Sequence, residues 1–332
     1  LSTYKDYENE YEIVKVPLEL QFENIEKLFN AFEVSMEQNA YTEVGRIVKA
    51  IADVIGNLKV IIEETRPIVS LGKSLIPKKE DDIKNIYDKM TREGYNLEYL
   101  NIDANIEEAN KKIKDIFGRL NVLNVEDSLF ELKTMHDYFD SLYADFDKER
   151  YSKKIYEDYS RSILIKATKL EKVNNELYKK IGDIKYSYDL TDDEVSVISE
   201  IKDEIMNIRA SYDKVVDIAR SKTLAYSKLA REMEIINSRL VKTEEKLNGA
   251  LKTLGSLKED ELRAREQLEE IKRILSQTKE KIRSYKLPIV PKNYYVEMSE
   301  AMEAINELVK ELDKRPISIK ILNLRVDTAR DL

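Results

Sequence analysis

Four places in the sequence hold residue types that could do chemistry. Ser70-Leu71-Gly72-Lys73-Ser74 ends in the Gly-Lys-Ser of a phosphate-cradling loop, where backbone N–H groups and a lysine ammonium would surround an anion. That loop needs a glycine at position 67, so that the backbone can wrap the phosphates, and a strand before it. Position 67 is Pro67 and no strand pattern precedes it, so nucleotide binding loses its mechanism. His136, the chain's one histidine, would serve in acid–base work only with positioned partners, and neither a catalytic serine nor a metal cluster is apparent. Asp145, Asp147 and Glu149 resemble the start of a calcium loop but lack its sharp-turn glycine and closing glutamate. Carboxylate pairs such as Asp192/Asp193 recur throughout so charged a chain, and their default roles are solvation and helix capping. The expectation is therefore a protein that is not an enzyme, with no catalytic residue, no metal and no cofactor.

The elements that would carry these residues are helices. Of 332 residues, 42% are hydrophobic and 36% charged, with only 8 Gly and 6 Pro, a composition of long helices rather than a mixed α/β domain. Tryptophan is absent, while 20 tyrosines suit narrow helix–helix seams, where a ring can pack and its hydroxyl still reach water. Fifty-six basic and 64 acidic residues are interspersed to a net charge of −8, which describes solvated helix faces and offers no concentrated basic face for nucleic acid. Without cysteine there is no disulfide framework, thiolate metal site or thiol nucleophile, consistent with a reducing compartment. No apolar run approaches the roughly 20 residues that span a bilayer, and no signal peptide is present. The chain starts at Leu1 and stops at Leu332 in a helical pattern, which reads as an interior piece of a longer protein.

Laid on itself with a shift of 88, the chain superposes Ile25, Leu28, Phe29 and Phe32 on Ile113, Ile116, Phe117 and Leu120. A shift of 192 relates Ile113, Ile116 and Leu120 to Ile305, Leu308 and Leu312. A period of about 88–99 residues exceeds the usual solenoid repeat and suits a small helical bundle per repeat. The expected organisation is the end of a preceding helix at 1–16, repeats at 17–99, 100–187 and 188–286, and the start of a fourth at 287–332. The helical pattern breaks at three junctions that each carry a tyrosine and two apolar residues one apart. These are Tyr99 with Leu100 and Ile102, Tyr186 with Tyr188 and Leu190, and Tyr285 with Leu287 and Ile289. Such alternation signals extended chain, and Pro288 and Pro291 bar a continuous helix at the third. The expectation is that these apolar pairs tuck between adjacent modules.

The third repeat reads most clearly. Thr191-Asp-Asp-Glu194 forms a capping box, followed by a stripe of Val195, Ile198, Ile201, Ile205, Ile208, Tyr212 and Val215. A heptad series runs from Leu229 through Met233, Ile236, Leu240, Thr243 and Leu247 to Leu257, then resumes after charged Glu261 with Ala264, Leu268 and Ile271. Gly255, the cap candidate Ser256-Leu-Lys-Glu259 and Glu261 favour a hairpin here, giving a three-helix module. The alternative is one unbroken helix through Gly255 that pairs with another chain. The corresponding turn in the second repeat would fall somewhere in 150–168.

The stretch LPIVPKNYY with Arg315-Pro-Ile-Ser-Ile-Lys-Ile-Leu-Asn-Leu-Arg-Val-Asp327, and YFDSLYADFDKERYSKKIYEDYSRS from Tyr138, resembles the EzrA family, septation ring formation regulators of low-GC Gram-positive bacteria. The resemblance implies an all-α fold of tandem spectrin-like three-helix bundles or antiparallel coiled coils in an elongated, curved rod, anchored by a membrane helix lying outside these residues. It further implies a scaffold on the cytoplasmic side of the plasma membrane at the division septum. There it would modulate assembly of the tubulin-like FtsZ and link the ring to the membrane and to cell-wall synthesis proteins. The family's Gln-Asn-Arg patch has no counterpart here, so no functional residue carries over. The rival expectation is a cytoskeletal-type coiled coil that self-associates weakly through its heptad seams.

Overall fold

Apolar residues three and four apart line one side of almost every segment, and helices are the only local structure that gathers such residues onto one face. A computed structural model describes residues 2–285 and 291–332. The expectations at Leu287, Pro288 and Ile289 lie outside the described residues. Helix α1 spans Ser2–Asp6 and is followed by a 3₁₀ segment, Glu8–Val14. Then come α2 (Lys15–Glu37), α3 (Tyr41–Ser70), α4 (Ile76–Arg92), α5 (Ile102–Leu120) and α6 (Ser128–Ser187). The rest are α7 (Asp192–Ser221), α8 (Tyr226–Ser284), α9 (Lys292–Asp313) and α10 (Ile319–Asp331). Among the described residues no strand forms, and the one extended pairing is an isolated parallel bridge between Tyr188 and Ile317. The fold is all-α, as the composition implies.

The chain divides into two units, Leu1–Lys153 with Ser221–Lys228, and Lys154–Arg220 with Leu229–Leu332. In the first unit α2 and α3 form an antiparallel hairpin. Helix α5 then lies antiparallel to both α4 and the first part of α6. Lys84 meets Asp103 at 3.6 Å and Gly72 meets Phe117 on one side, while Arg119 meets Glu131 at 3.0 Å on the other. One continuous core joins these elements, with Ile68, Ile76, Ile83, Met90, Ile116, Leu120, Leu132, Phe139 and Phe146 almost fully buried. Each such side chain contributes about 1.5–3 kcal/mol through removal from water. Helix α4 stops at Gly94, whose φ of 92° lets the Tyr95 amide donate back to Met90 O at 3.1 Å. Only glycine adopts that conformation cheaply.

In the second unit the later part of α6 lies antiparallel to α7. Ser160 and Tyr212 share a 2.9 Å hydrogen bond, Arg209 pairs with Glu171 at 2.7 Å, and the Asn174 amide donates to Ile198 O at 3.3 Å. Helix α7 in turn meets α8 through Arg239 and Glu204 at 3.0 Å. The Thr191–Glu194 capping box forms reciprocally, with Glu194 accepting from the Thr191 amide at 2.8 Å and Thr191 Oγ1 from the Glu194 amide at 3.3 Å. The stripe on α7 buries Ile198, Ile201, Ile205, Ile208 and Val215, and α8 opposes it with Leu229, Met233, Ile236, Leu240, Thr243 and Leu247. Farther along, Ala264 and Leu268 of α8 share a core with Ile305, Leu308 and Leu312 of α9 and Leu322 and Val326 of α10.

Four expectations are corrected. No hairpin forms at Gly255, and no turn falls within 150–168, because α8 runs for 59 residues and α6 for 60 without a break. Ser256 does not cap a helix; its hydroxyl donates to Thr253 O at 2.8 Å within α8. One glycine costs a helix about 1 kcal/mol, while seam residues on both sides, Leu254 before and Ala264 and Leu268 after, are buried. Burial outweighs the glycine, and the unbroken helix pairs within its own chain. The first junction is also not extended. Glu98–Leu100 is a 3₁₀ turn, Asn101 takes a left-handed φ of 47°, and Ile102 already opens α5.

Candidate functional site

Several of the residues singled out for possible chemistry make contacts between helices. Leu71–Leu75 is a π-helical turn joining α3 to α4, so the Gly-Lys-Ser backbone amides are inside a helix rather than around an anion. Gly72 is buried there against α5, and a Cβ at this position would meet Phe117 Cζ at 2.7 Å. His136, on α6, lies 3.5 Å from Lys79 Nζ and 3.6 Å from Asp140. Lys79 forms an ion pair with Asp140, and that bond holds the Asp140 carboxyl below its ordinary value. His136, Asp137 and Asp140 are the one group among the described residues whose ligand atoms could converge on an ion, and it already contains a lysine ammonium. The arrangement pins α4 to α6.

Asp145, Asp147 and Glu149 stand on α6 rather than in a loop, and Glu149 is completely buried. Its carboxylate accepts the Tyr226 amide at 2.9 Å, the Ser227 amide at 3.2 Å and the Tyr99 hydroxyl at 3.2 Å. Burial first, and then the Glu149 charge, pushes the Tyr99 hydroxyl far above its ordinary range. Around this point the Tyr95 and Tyr226 rings meet edge-on at 5.3 Å, with Lys153 Nζ 4.9 Å and 5.6 Å from their centroids. Asn96 donates to Lys222 O at 3.2 Å. Leu100 and Ile102 are buried in the core of the first unit, whereas the Tyr99 ring is about half exposed with its hydroxyl turned inward.

The second junction repeats the theme. Tyr188 donates to Glu261 at 2.8 Å, and Glu261 also pairs with Arg265 at 2.8 Å and Arg315 at 3.6 Å. Burial, then the Glu261 bond, pushes the Tyr188 hydroxyl up to about 12. Burial would raise the Glu261 carboxyl, but Arg265, Tyr188 and Arg315 outweigh it and hold the carboxyl below its ordinary value. The Ile317 amide donates to Ser187 O at 3.0 Å and the Asp189 amide to Ile317 O at 2.8 Å, so the chain here is extended. Leu190 is half-buried, while Tyr186 and Tyr285 are exposed, and Pro291 caps α9 with φ −56° and ψ 140°.

Sequence reasoning found the tyrosines and missed the two glutamates they meet. A signal existed: Glu149 continues the seam Phe139, Leu142, Phe146, and Glu261 falls between Leu257 and Ala264 of the other. A charge on an otherwise apolar stripe needs a buried partner.

An apolar surface in the first unit is open among the described residues. Between α2 and α3 a groove of about 820 Å³ is lined by Phe22, Ile25, Phe29, Ile55, Leu58 and Ile62, with Glu26, Lys59, Glu63 and Arg66 at its rim. Phe29 and Ile55 are about half exposed. Apolar area of this kind, rimmed by charge, characterises protein-docking sites.

Comparison with known proteins agrees with the helical architecture. A family profile described as "Septation ring formation regulator, EzrA" matches residues 2–332. The septation ring formation regulator EzrA of Listeria monocytogenes is 19% identical over 306 residues, which are 92% of this chain and 54% of that protein. The regulator of the same name from Staphylococcus epidermidis is 20% identical over 310 residues, 93% of this chain and 55% of its own length. The chain thus spans about half the length of these curated relatives. A solved structure, "Cytoplasmic domain of bacterial cell division protein EzrA", superposes with a TM-score of 0.68 at 18% identity, covering 99% of this chain and 65% of that one.

Proposed function

The chain belongs to the EzrA family of septation ring formation regulators, and on that premise we propose that it acts as a non-catalytic scaffold in bacterial cell division. In this reading it modulates FtsZ ring assembly and joins the ring to the membrane and to cell-wall synthesis proteins at the septum. The membrane link would run through an anchor outside these residues; no helix among the described residues is long and apolar enough to cross a bilayer. Its working parts would be the modules 17–99, 100–187, 188–286 and 287–332, with the tyrosine junctions as structural joints.

The observation that carries this reading is the contrast between spent chemistry and open apolar surface. His136, Asp140, Glu149 and Glu261 are each engaged by neighbouring segments of their own unit, while in the first unit the α2–α3 groove stands open. Co-sedimentation with FtsZ polymers tests it, comparing this chain with a Phe29→Ser, Ile55→Ser variant. The expected result is pelleting with polymers that the double substitution reduces severalfold. Equal pelleting of both proteins would remove the groove from the proposal, and no pelleting of either would leave FtsZ contact to other parts of the protein.

A further inference from the structure

Helix α8 begins without a cap of its own. The residue before it is Ala225, which is buried and has no side-chain acceptor. The first amides of a helix have no intrahelical partner, and at a part-buried start they need an acceptor from the protein or from the water that still reaches them. Two of these amides, from Tyr226 and Ser227, are taken by Glu149, a residue 77 and 78 positions earlier in the chain. The helix N-terminus carries partial positive charge, which a carboxylate satisfies better than a neutral acceptor. The same carboxylate also holds the Tyr99 hydroxyl, so one side chain joins α6, the turn before α5 and the start of α8.

We infer that Glu149 is a latch that couples these three segments, so that the first junction and the beginning of α8 open together rather than one at a time. A residue acting only as a cap would secure α8 and leave the 95–101 turn indifferent to it. The arrangement recurs in the second unit with different chemistry. There Glu261 holds Tyr188 of the junction and Arg315 of the turn before α10, and the backbone bridge to Ile317 joins the same two segments. In both places a glutamate on the seam of a long helix gathers a junction tyrosine and a second segment, the first turn of α8 in one unit and the turn before α10 in the other. The inference does not depend on the division reading, since it concerns the chain's own cooperativity.

Hydrogen exchange of the full 332-residue chain tests it, reading peptides that cover 95–101 and 226–229. Glu149→Leu removes the acceptor, and Glu149→Gln keeps the shape and one acceptor oxygen should the first variant fold poorly. The expected result is exchange about tenfold faster in both peptides for Glu149→Leu, and a smaller rise in both for Glu149→Gln. Adding Ala225→Ser gives α8 a local cap, and should return 226–229 toward the wild-type rate while 95–101 stays fast. Exchange that rises at 226–229 alone would reduce Glu149 to a cap and overturn the coupling. Wild-type rates in both peptides would overturn the latch altogether.

Discussion

Replacing Gly255 by alanine should stabilise this protein, and the reasoning can be followed atom by atom. A Cβ built on Gly255 meets nothing within 4 Å, and its φ lies outside the left-handed range. Neither a clash nor backbone strain opposes the change, so the helix-propensity gain of about 0.8–1.0 kcal/mol remains. For a cooperative unit of this size that corresponds to roughly 2–4 °C in Tm. Urea unfolding followed by circular dichroism, together with hydrogen exchange across 250–260, would read both the gain and its location. Gly72→Ala is the internal control, because its Cβ would lie 2.7 Å from Phe117 Cζ. Overpacking of that kind costs about 1–3 kcal/mol, so the same substitution should lower stability by about 1 kcal/mol net. If Gly255→Ala destabilised the protein with an unchanged m-value, residue 255 would be a turn position after all, and the continuous α8 would be refuted.

Two further outcomes follow from titratable groups. Glu80 is buried on α4 with Oε1 lacking a hydrogen-bond partner among the described residues, and burial raises its carboxyl above the ordinary 4.5. A raised carboxyl stabilises the fold when protonated and loses that contribution as pH climbs. Glu80→Leu should therefore be more stable than wild type at pH 7, by about 1 kcal/mol. The gap between their urea midpoints should narrow as pH falls toward 4.5, and a gap constant with pH would contradict the assignment. At the other extreme, the Tyr188 hydroxyl is raised from 10.0 to about 12 by burial and then by Glu261. Its contribution should be complete below pH 10 and lost as pH rises through about 12. Stability measured across pH 9–12 should fall less steeply in Tyr188→Phe than in wild type, and parallel curves would count against the bond.

Helix content, the capping box at Thr191–Glu194 and the seam residues of α7 and α8 were legible because each rests on local spacing and short-range hydrogen bonds. The first two junctions coincide with breaks between helices, and the structure buries Leu100 and Ile102 in the core of the first unit. Their conformation was not legible, since alternation of two apolar residues fits a strand and equally a 3₁₀ turn entering a helix. Gly255 misled because a local penalty of about 1 kcal/mol was weighed without the burial on either side. Glu261 misled in the same way, read as an interruption when it is the partner of Tyr188.

A heptad states that a seam exists and leaves open which helix fills it. Spacing alone therefore specified an all-α chain whose long amphipathic helices bury one stripe each. Packing decided that α6 and α8 continue unbroken, that the glycine of a would-be phosphate loop admits Phe117, and that Glu149 completes a helix beginning 77 residues later. Those choices depend on contacts between residues far apart in the chain, whose energies no local window of sequence contains.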